Sequence, residues 1–179
     1  MNKLTSTLEP LTPEDVTRLT GIDTPVVEKI FNAISDFTTG DYRKIRRAEE
    51  QGIKDARIEL LNTFMNKMSG YQGEIYRGMS FTEKSIKTFL EKIQQPEGYT
   101  LEAMASFTFS LNVAENYSGS CYSVVLRVKG NRSGVAICNF SAMYAECEVL
   151  VPKGTRYKVV NLPDKIEPGK INYIDLQEV

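Results

Sequence analysis

Histidine is absent from the 179-residue chain. That excludes a Ser-His-Asp triad, a Cys-His dyad and any histidine-bound zinc. Proton transfer, if the protein carries out any, falls to carboxylates, lysine, tyrosine, cysteine or water. Tryptophan is absent as well, and cysteine is scarce. Cys121, Cys138 and Cys147 lie singly, with no CxxC and an odd count. A disulfide framework or a metal knuckle is therefore not expected, and buried thiols in a reducing compartment are. No segment approaches the roughly 18 apolar residues that a membrane span needs. The opening Met1-Asn2-Lys3-Leu4-Thr5-Ser6 has no apolar h-region behind it, so no Sec-type signal is expected. Excess charge is missing too: 22 Lys and Arg balance 23 Asp and Glu, for a net charge of −1. No basic field points to nucleic acid.

What is present is ordinary for a globular chain, with 41% hydrophobic and 25% charged residues. The length fits a single domain over residues 1–179. Residues 1–70 read as a helical portion. Thr12-Pro13-Glu14-Asp15 is a helix start: a capping threonine, a proline in the first turn, and acids near the positive end. Thr24-Pro25 repeats the device, and Val26, Ile30, Phe31 and Ile34 then recur at helical spacing. Thr38-Thr39-Gly40 ends that helix. A short third helix carries Tyr42, Arg43, Lys44, Arg46 and Arg47, and a fourth runs from Lys54 to Met68.

Residues 71–179 read as β-rich. The sequence predicts strands over 74–78, 105–111, 121–128, 134–140, 146–151, 157–160 and 171–176, with one helix over 82–93. Closely spaced strands with few intervening helices favour antiparallel pairing over βαβ units. Core candidates are Phe107, Phe109, Val124, Leu126, Ile137, Val149 and Val151.

Three groups of residues could carry chemistry. Glu146-Cys147-Glu148, read as a strand, puts both carboxylates on one face, with Cα atoms roughly 6.5–7 Å apart. Cys147 and Val149 then face the core. Adjacent carboxylates repel, so one pKa rises. Such a pair suits chemistry at an anomeric carbon, and the same spacing also fits a solvated strand face. Ser106-Phe107-Thr108-Phe109-Ser110 alternates, with three hydroxyls on one face and two rings on the other. The hydroxyls could hold a carboxylate in a cleft or line a half-exposed strand. Tyr76-Arg77-Gly78 offers a guanidinium and a close backbone approach to an anion, or a surface arginine before a turn. No GxGxxG follows a strand, so the phosphate-cradling turn of a Rossmann domain is missing.

In this order, Tyr76-Arg77-Gly78, Ser106 to Leu111, and Glu146-Cys147-Glu148-Val149-Leu150-Val151-Pro152 with Gly154 resemble the Arg-Ser-Glu class of mono-ADP-ribosyltransferases. This cholera-toxin-like class includes bacterial toxins, effectors and phage enzymes. The resemblance covers about residues 34–160, and the E-x-E-V-L-x-P-x-G stretch is its most specific part. It implies an α+β fold in which two small, mostly antiparallel sheets form an NAD cleft beside an N-terminal helical portion. NAD is implied as a substrate, with no metal.

Residue by residue, the resemblance implies that Arg77 contacts a phosphate of NAD and that Gly78 offers backbone groups to nicotinamide. Aligning Thr108-Phe109-Ser110 to the family's hydroxyl motif makes Thr108 the residue that orients the catalytic glutamate, with Ser110 beside the dinucleotide. Glu148 is that glutamate, and Glu146 engages the acceptor. Tyr42 and Arg43, with Arg46 as an alternative, are the counterparts of dinucleotide-binding residues on the family's N-terminal helix. Residues 139–145 resemble the loop that reads the target, with Tyr144 as its aromatic contact. Glutamate at 146 implies an arginine acceptor on a target protein. A toxin or effector is implied, soluble, acting in the cytosol of the producing or target cell, leaving without a Sec signal and open to neutralisation by an immunity protein. The other readings are an NAD glycohydrolase that uses water, and a non-enzymatic partner-binding domain on the same scaffold.

Overall fold

A computed structural model describes residues 10–119, 121–140 and 144–179, the side chain of Tyr144 excepted. Four helices come first. Thr12 caps α1 (Pro13–Thr20): its hydroxyl accepts from the Asp15 N–H, and the Asp15 carboxylate accepts from the Thr12 N–H. Gly21, at φ 71°, ends this helix in the left-handed conformation. The second start differs from expectation, because Thr24 is already the first residue of α2 (Thr24–Thr39) and Asp23 stands at the cap. Helices α3 (Tyr42–Glu50) and α4 (Ala56–Lys67) complete the helical portion. Their apolar stripes, among them Val27, Ile30, Ile34, Ile45, Leu61 and Phe64, gather into one buried cluster.

The remaining chain forms β1 (Ile75–Phe81), α5 (Glu83–Ile93), β2 (Tyr99–Thr100), β3 (Ala105–Thr108), α6 (Leu111–Tyr117), β4 (Tyr122–Lys129), β5 (Val135–Ala136), β6 (Glu148–Val151), β7 (Arg156–Asn161) and β8 (Ile171–Glu178). Hydrogen bonding runs through one eight-stranded sheet in the order β2-β7-β8-β4-β1-β3-β6-β5. All pairs are antiparallel except β4 with β8. The two sheets expected from the sequence are thus two parts of a single ladder. Their junction is thin: β1 and β3 meet only at Tyr76 opposite Thr108. A cleft lies at that point, lined by residues of both strands.

Period-two alternation divides the smaller part between two cores. Phe107, Val149 and Val151 join the main cluster with strands β1, β4, β7 and β8 and helix α5. Leu150, Val135 and Ile137 join the cluster under the N-terminal helices. Ser106 and Thr108 lie opposite Leu150 and Glu148 in the β3–β6 register. These residues therefore share the face turned toward the helical portion.

Several predicted strands are shorter. The segment from Ala105 stops at Thr108, because Ser110 starts a helix that the hydroxyl-rich alternation concealed. The segment from Gly134 pairs only over Val135–Ala136 before a 3-10 turn at Cys138–Phe140. Glu146 ends another 3-10 turn, Tyr144–Glu146, so the strand begins at Glu148 and not at Glu146. Between the glutamates, Cys147 has φ 52°, the one non-glycine among the described residues in the left-handed region. It is half-buried rather than a core residue. Phe109 is also only partly buried, stacked on Tyr71 at 5.3 Å.

Candidate active site

The cleft at the β1–β3 junction has a volume of about 240 Å³. Its floor and walls come from Arg77 and Gly78 on β1, Ser106 and Thr108 on β3, and Glu148 on β6. Tyr42 on α3, Tyr117 on α6 and Glu146 also line it. Both glutamates therefore reach one cavity, although not by the strand geometry expected. A tight turn and a left-handed residue bring Glu146 in, while the register of β6 brings in Glu148.

Glu148 is only 3% exposed. One carboxylate oxygen accepts a hydrogen bond from the Ser106 hydroxyl, and the other has no partner. Burial pushes its pKa up to about 7; the Ser106 bond acts against that shift, and the charge of Glu146 adds to it. Glu146 stands at the cleft with its carboxylate accepting from the Tyr117 hydroxyl at 2.6 Å. That bond is the main reason the phenol is pushed up to about 12. Two carboxylates in one cleft thus differ sharply in surroundings: one is buried and serine-bonded, the other is bound by an exposed phenol.

Thr108 does not hold Glu148. Its hydroxyl donates to the backbone carbonyl of Glu146 at 2.7 Å and accepts from the Ser110 N–H at 3.0 Å. It seats the turn that carries Glu146, while Ser106, two residues earlier on the same face, orients the buried glutamate. The hydroxyl motif is accordingly shifted by two residues from the expected alignment. Ser110 stands at the start of α6, outside the cleft lining.

Arg77 is half-buried, with its guanidinium 5.6 Å from the centroid of the Phe107 ring. Among the described residues no carboxylate pairs with it. Burial, and after it the positive charge of Arg46, lower its pKa. Arg46 lies one helical turn after Tyr42, and its Nε is a buried donor without a partner. Arg46 also bonds Glu50 at 3.5 Å, so Arg77 is the cation at the cleft that most favours an anion. Arg43 is exposed and donates to the Tyr42 hydroxyl at 3.1 Å; neither it nor Arg46 lines the cleft itself. The side chain of Tyr144, the expected target contact, lies outside the described residues.

Gly78 has a second role that its sequence context concealed. A Cβ there would stand 1.9 Å from the Ala114 carbonyl oxygen and 2.9 Å from the Ser118 nitrogen. Helix α6 rests directly on β1 at this residue. Ser106 and Tyr117 line the cleft without being singled out by the sequence, and Arg46 is named there only as an alternative to Arg43. Period two already put Ser106 on the right face, and helical spacing from Tyr42 pointed to Arg46. Only recognition of α6 would have brought in Tyr117.

The α+β fold, with its sheet here split at one residue pair, is shared with solved ADP-ribosyltransferases. The chain belongs to the ADP-ribosyltransferase exoenzyme family, whose model matches residues 28–177. By sequence, no curated protein matches it. Several solved structures share its fold. The Vis toxin from Vibrio splendidus is 20% identical, with 95% of this chain and 87% of that chain covered and a TM-score of 0.63. HopU1 of Pseudomonas syringae pv. Tomato DC3000 is 15% identical, with 94% and 88% covered and a TM-score of 0.61. A truncated type III effector XopAI from Xanthomonas axonopodis pv. citri is 18% identical, with 92% and 75% covered and a TM-score of 0.65. Among the described residues, no helix is long and apolar enough to cross a membrane.

Proposed function

We propose that the protein is a toxin or effector enzyme that transfers ADP-ribose from NAD to an arginine of a target protein, releasing nicotinamide. The observation that carries this reading is the shared cleft of Glu146, Glu148 and Arg77. Arg77, whose guanidinium has no carboxylate partner among the described residues, would take the pyrophosphate, and the unpartnered Nε of Arg46 would add a second donor. Glu148, held by Ser106, would accept a hydrogen bond from the ribose 2′-hydroxyl. In its ionised form it stabilises the positive charge that builds on the ribose as the bond from C1′ to nicotinamide breaks. The bonding electron pair leaves with nicotinamide, whose ring nitrogen thereby loses its positive charge, so no acid is needed.

The acceptor nitrogen then forms the new bond to C1′. A guanidinium has no free lone pair to offer while fully protonated, so a carboxylate must orient it and take a proton. Glu146, whose second carboxylate oxygen is left open by the Tyr117 bond, is the carboxylate for that task. Two relatives supply supporting chemistry: Vis has been solved in complex with agmatine, a guanidinium compound, and exoenzyme S with carba-NAD.

Labelling of a target-cell lysate with biotinylated NAD, followed by mapping of the modified residue, tests the reading. The wild type should label protein on arginine. Glu148→Ala should lose both labelling and nicotinamide release. Glu146→Ala should lose labelling and keep much of the release. Equal residual labelling in the two variants overturns the division of roles, and nicotinamide release without labelled protein shows water to be the acceptor instead.

A further inference from the structure

The Tyr117–Glu146 bond involves a residue for which the transfer chemistry above gives no task. Tyr117 is the last residue of α6 and is 59% exposed, yet it lines the cleft. A large aromatic left open to water costs apolar burial that the fold could otherwise have used. Its location is nonetheless fixed. Ala114, one turn earlier, is buried against β1, where the absence of a side chain at Gly78 permits contact. The Glu115 carboxylate accepts from the Tyr173 hydroxyl of β8 at 2.6 Å. The Ser118 hydroxyl donates to the Glu115 carbonyl at 2.7 Å and closes the end of the helix. Helix α6 thus presents an exposed ring from a rigid support, at the side of the cleft where Glu146 stands.

We propose that Tyr117 is the acceptor-positioning residue: its hydroxyl holds Glu146 at the cleft mouth, and its open ring receives the flat face of the acceptor guanidinium. This rests on the arginine-transfer reading and deepens it. The phenol donates one hydrogen, to Oε1 of Glu146, and leaves Oε2 for the acceptor. A guanidinium is the ligand that satisfies both groups, because it is planar, cationic and able to donate along its edge while its face lies on an aromatic ring. Water or an aliphatic hydroxyl gains nothing from the ring.

Steady-state kinetics of the full chain with NAD, using agmatine as the acceptor probe, test the assignment. Tyr117→Phe keeps the ring and loses the donor, and should lower kcat/KM for agmatine by about tenfold, as expected for a hydrogen bond to a charged group. Tyr117→Leu loses the ring as well, and should lower it by a further factor of about three, the value of an exposed cation–π contact. In both variants the ratio of transfer to NAD hydrolysis should fall and the KM for NAD should move much less. Exposure of the side chain keeps either change from threatening the fold. If the wild type uses agmatine and both variants match it, this assignment is overturned while the arginine reading stands. A loss shared equally by hydrolysis, transfer and the KM for NAD marks a merely structural residue and overturns it too. If the wild type modifies no guanidinium compound, the acceptor reading of Glu146 fails and the role of Tyr117 fails with it.

Discussion

The Ser106 hydroxyl donates to the carboxylate of Glu148 across 42 residues of sequence, from β3 to β6. It is the sole hydrogen-bond donor to that carboxylate among the described residues, and the other carboxylate oxygen is buried without a partner. The protonation state of the buried glutamate therefore rests on a balance between one serine and the surrounding loss of solvent.

Removing the serine shifts that balance in a known direction. A hydrogen bond to the charged form holds a carboxyl pKa down, so Ser106→Ala should raise Glu148 beyond its value of about 7. The acidic limb of the pH profile for nicotinamide release should move to higher pH. The rate at neutral pH should fall by about tenfold. Thr108→Val should leave that limb in place and lower transfer relative to hydrolysis, since Thr108 seats Glu146. pH–rate profiles of both variants distinguish the two hydroxyls.

The same group makes stability depend on pH. The folded pKa of Glu148 lies above the ordinary value of 4.5. Between those two values the folded chain holds a proton that the unfolded chain releases, so stability falls as pH rises through this window and stays lower above it. Glu148→Gln has no proton to lose. Its stability relative to the wild type should grow between about pH 4.5 and 7, by roughly 1–3 kcal/mol. Urea denaturation at pH 5 and pH 8 measures the difference, and an equal gap at both values would contradict it.

Helix α3 carries two arginines near Tyr42, and the structure separates them. Arg46 adds to the electrostatic cost of charge on Arg77 and has a buried unpartnered donor, whereas Arg43 packs on Tyr42 in solvent. Arg46→Ala should raise the KM for NAD by about tenfold, the value of a lost charge-assisted hydrogen bond. Arg43→Ala should change it little. Initial-rate measurements at fixed ionic strength compare them, and the reverse ranking would assign the dinucleotide contact to Arg43.

Gly78 is required by packing. A methyl group 1.9 Å from the Ala114 carbonyl oxygen has no room, and the obstacle is backbone rather than a flexible side-chain tip. Gly78→Ala should push α6 off β1 and destabilise the fold by more than about 3 kcal/mol, in the range of severe overpacking. A lowered thermal midpoint, with loss of the Tyr117 contact to Glu146, is the expected outcome. A variant of unchanged stability would show that α6 moves freely.

Much of the helical portion is legible in the sequence because its signals are local. Thr12 with Asp15 caps α1, and the apolar stripes of α2 and α4 declare themselves at helical period. The strand Tyr122–Lys129 is likewise plain, since its run Val124-Val125-Leu126 suits the buried centre of a sheet, and Ile171–Glu178 shows itself by alternation, with Ile174 and Leu176 on the buried face. Alternation fails where hydrogen bonding ends early. Ser110 and Leu111 extend a perfect period-two pattern yet begin α6, because β6 offers no partner beyond Glu148 in the regular ladder. Glu146 and Cys147 fail for a related reason: a turn and a left-handed residue replace the strand there.

By itself the sequence determined the kind of chemistry available: no histidine, two glutamates separated by a single cysteine, and an arginine before a glycine. It also determined which faces of Phe107, Val149 and Val151 turn inward, because side-chain direction along a strand follows from backbone period alone. Which hydroxyl meets Glu148, which arginine of α3 nears Arg77, and what holds Glu146 were decided only by tertiary structure. Those contacts join residues far apart in the chain, and they depend on strand register and on the depth to which a helix settles. Neither quantity is encoded in any short stretch of residues.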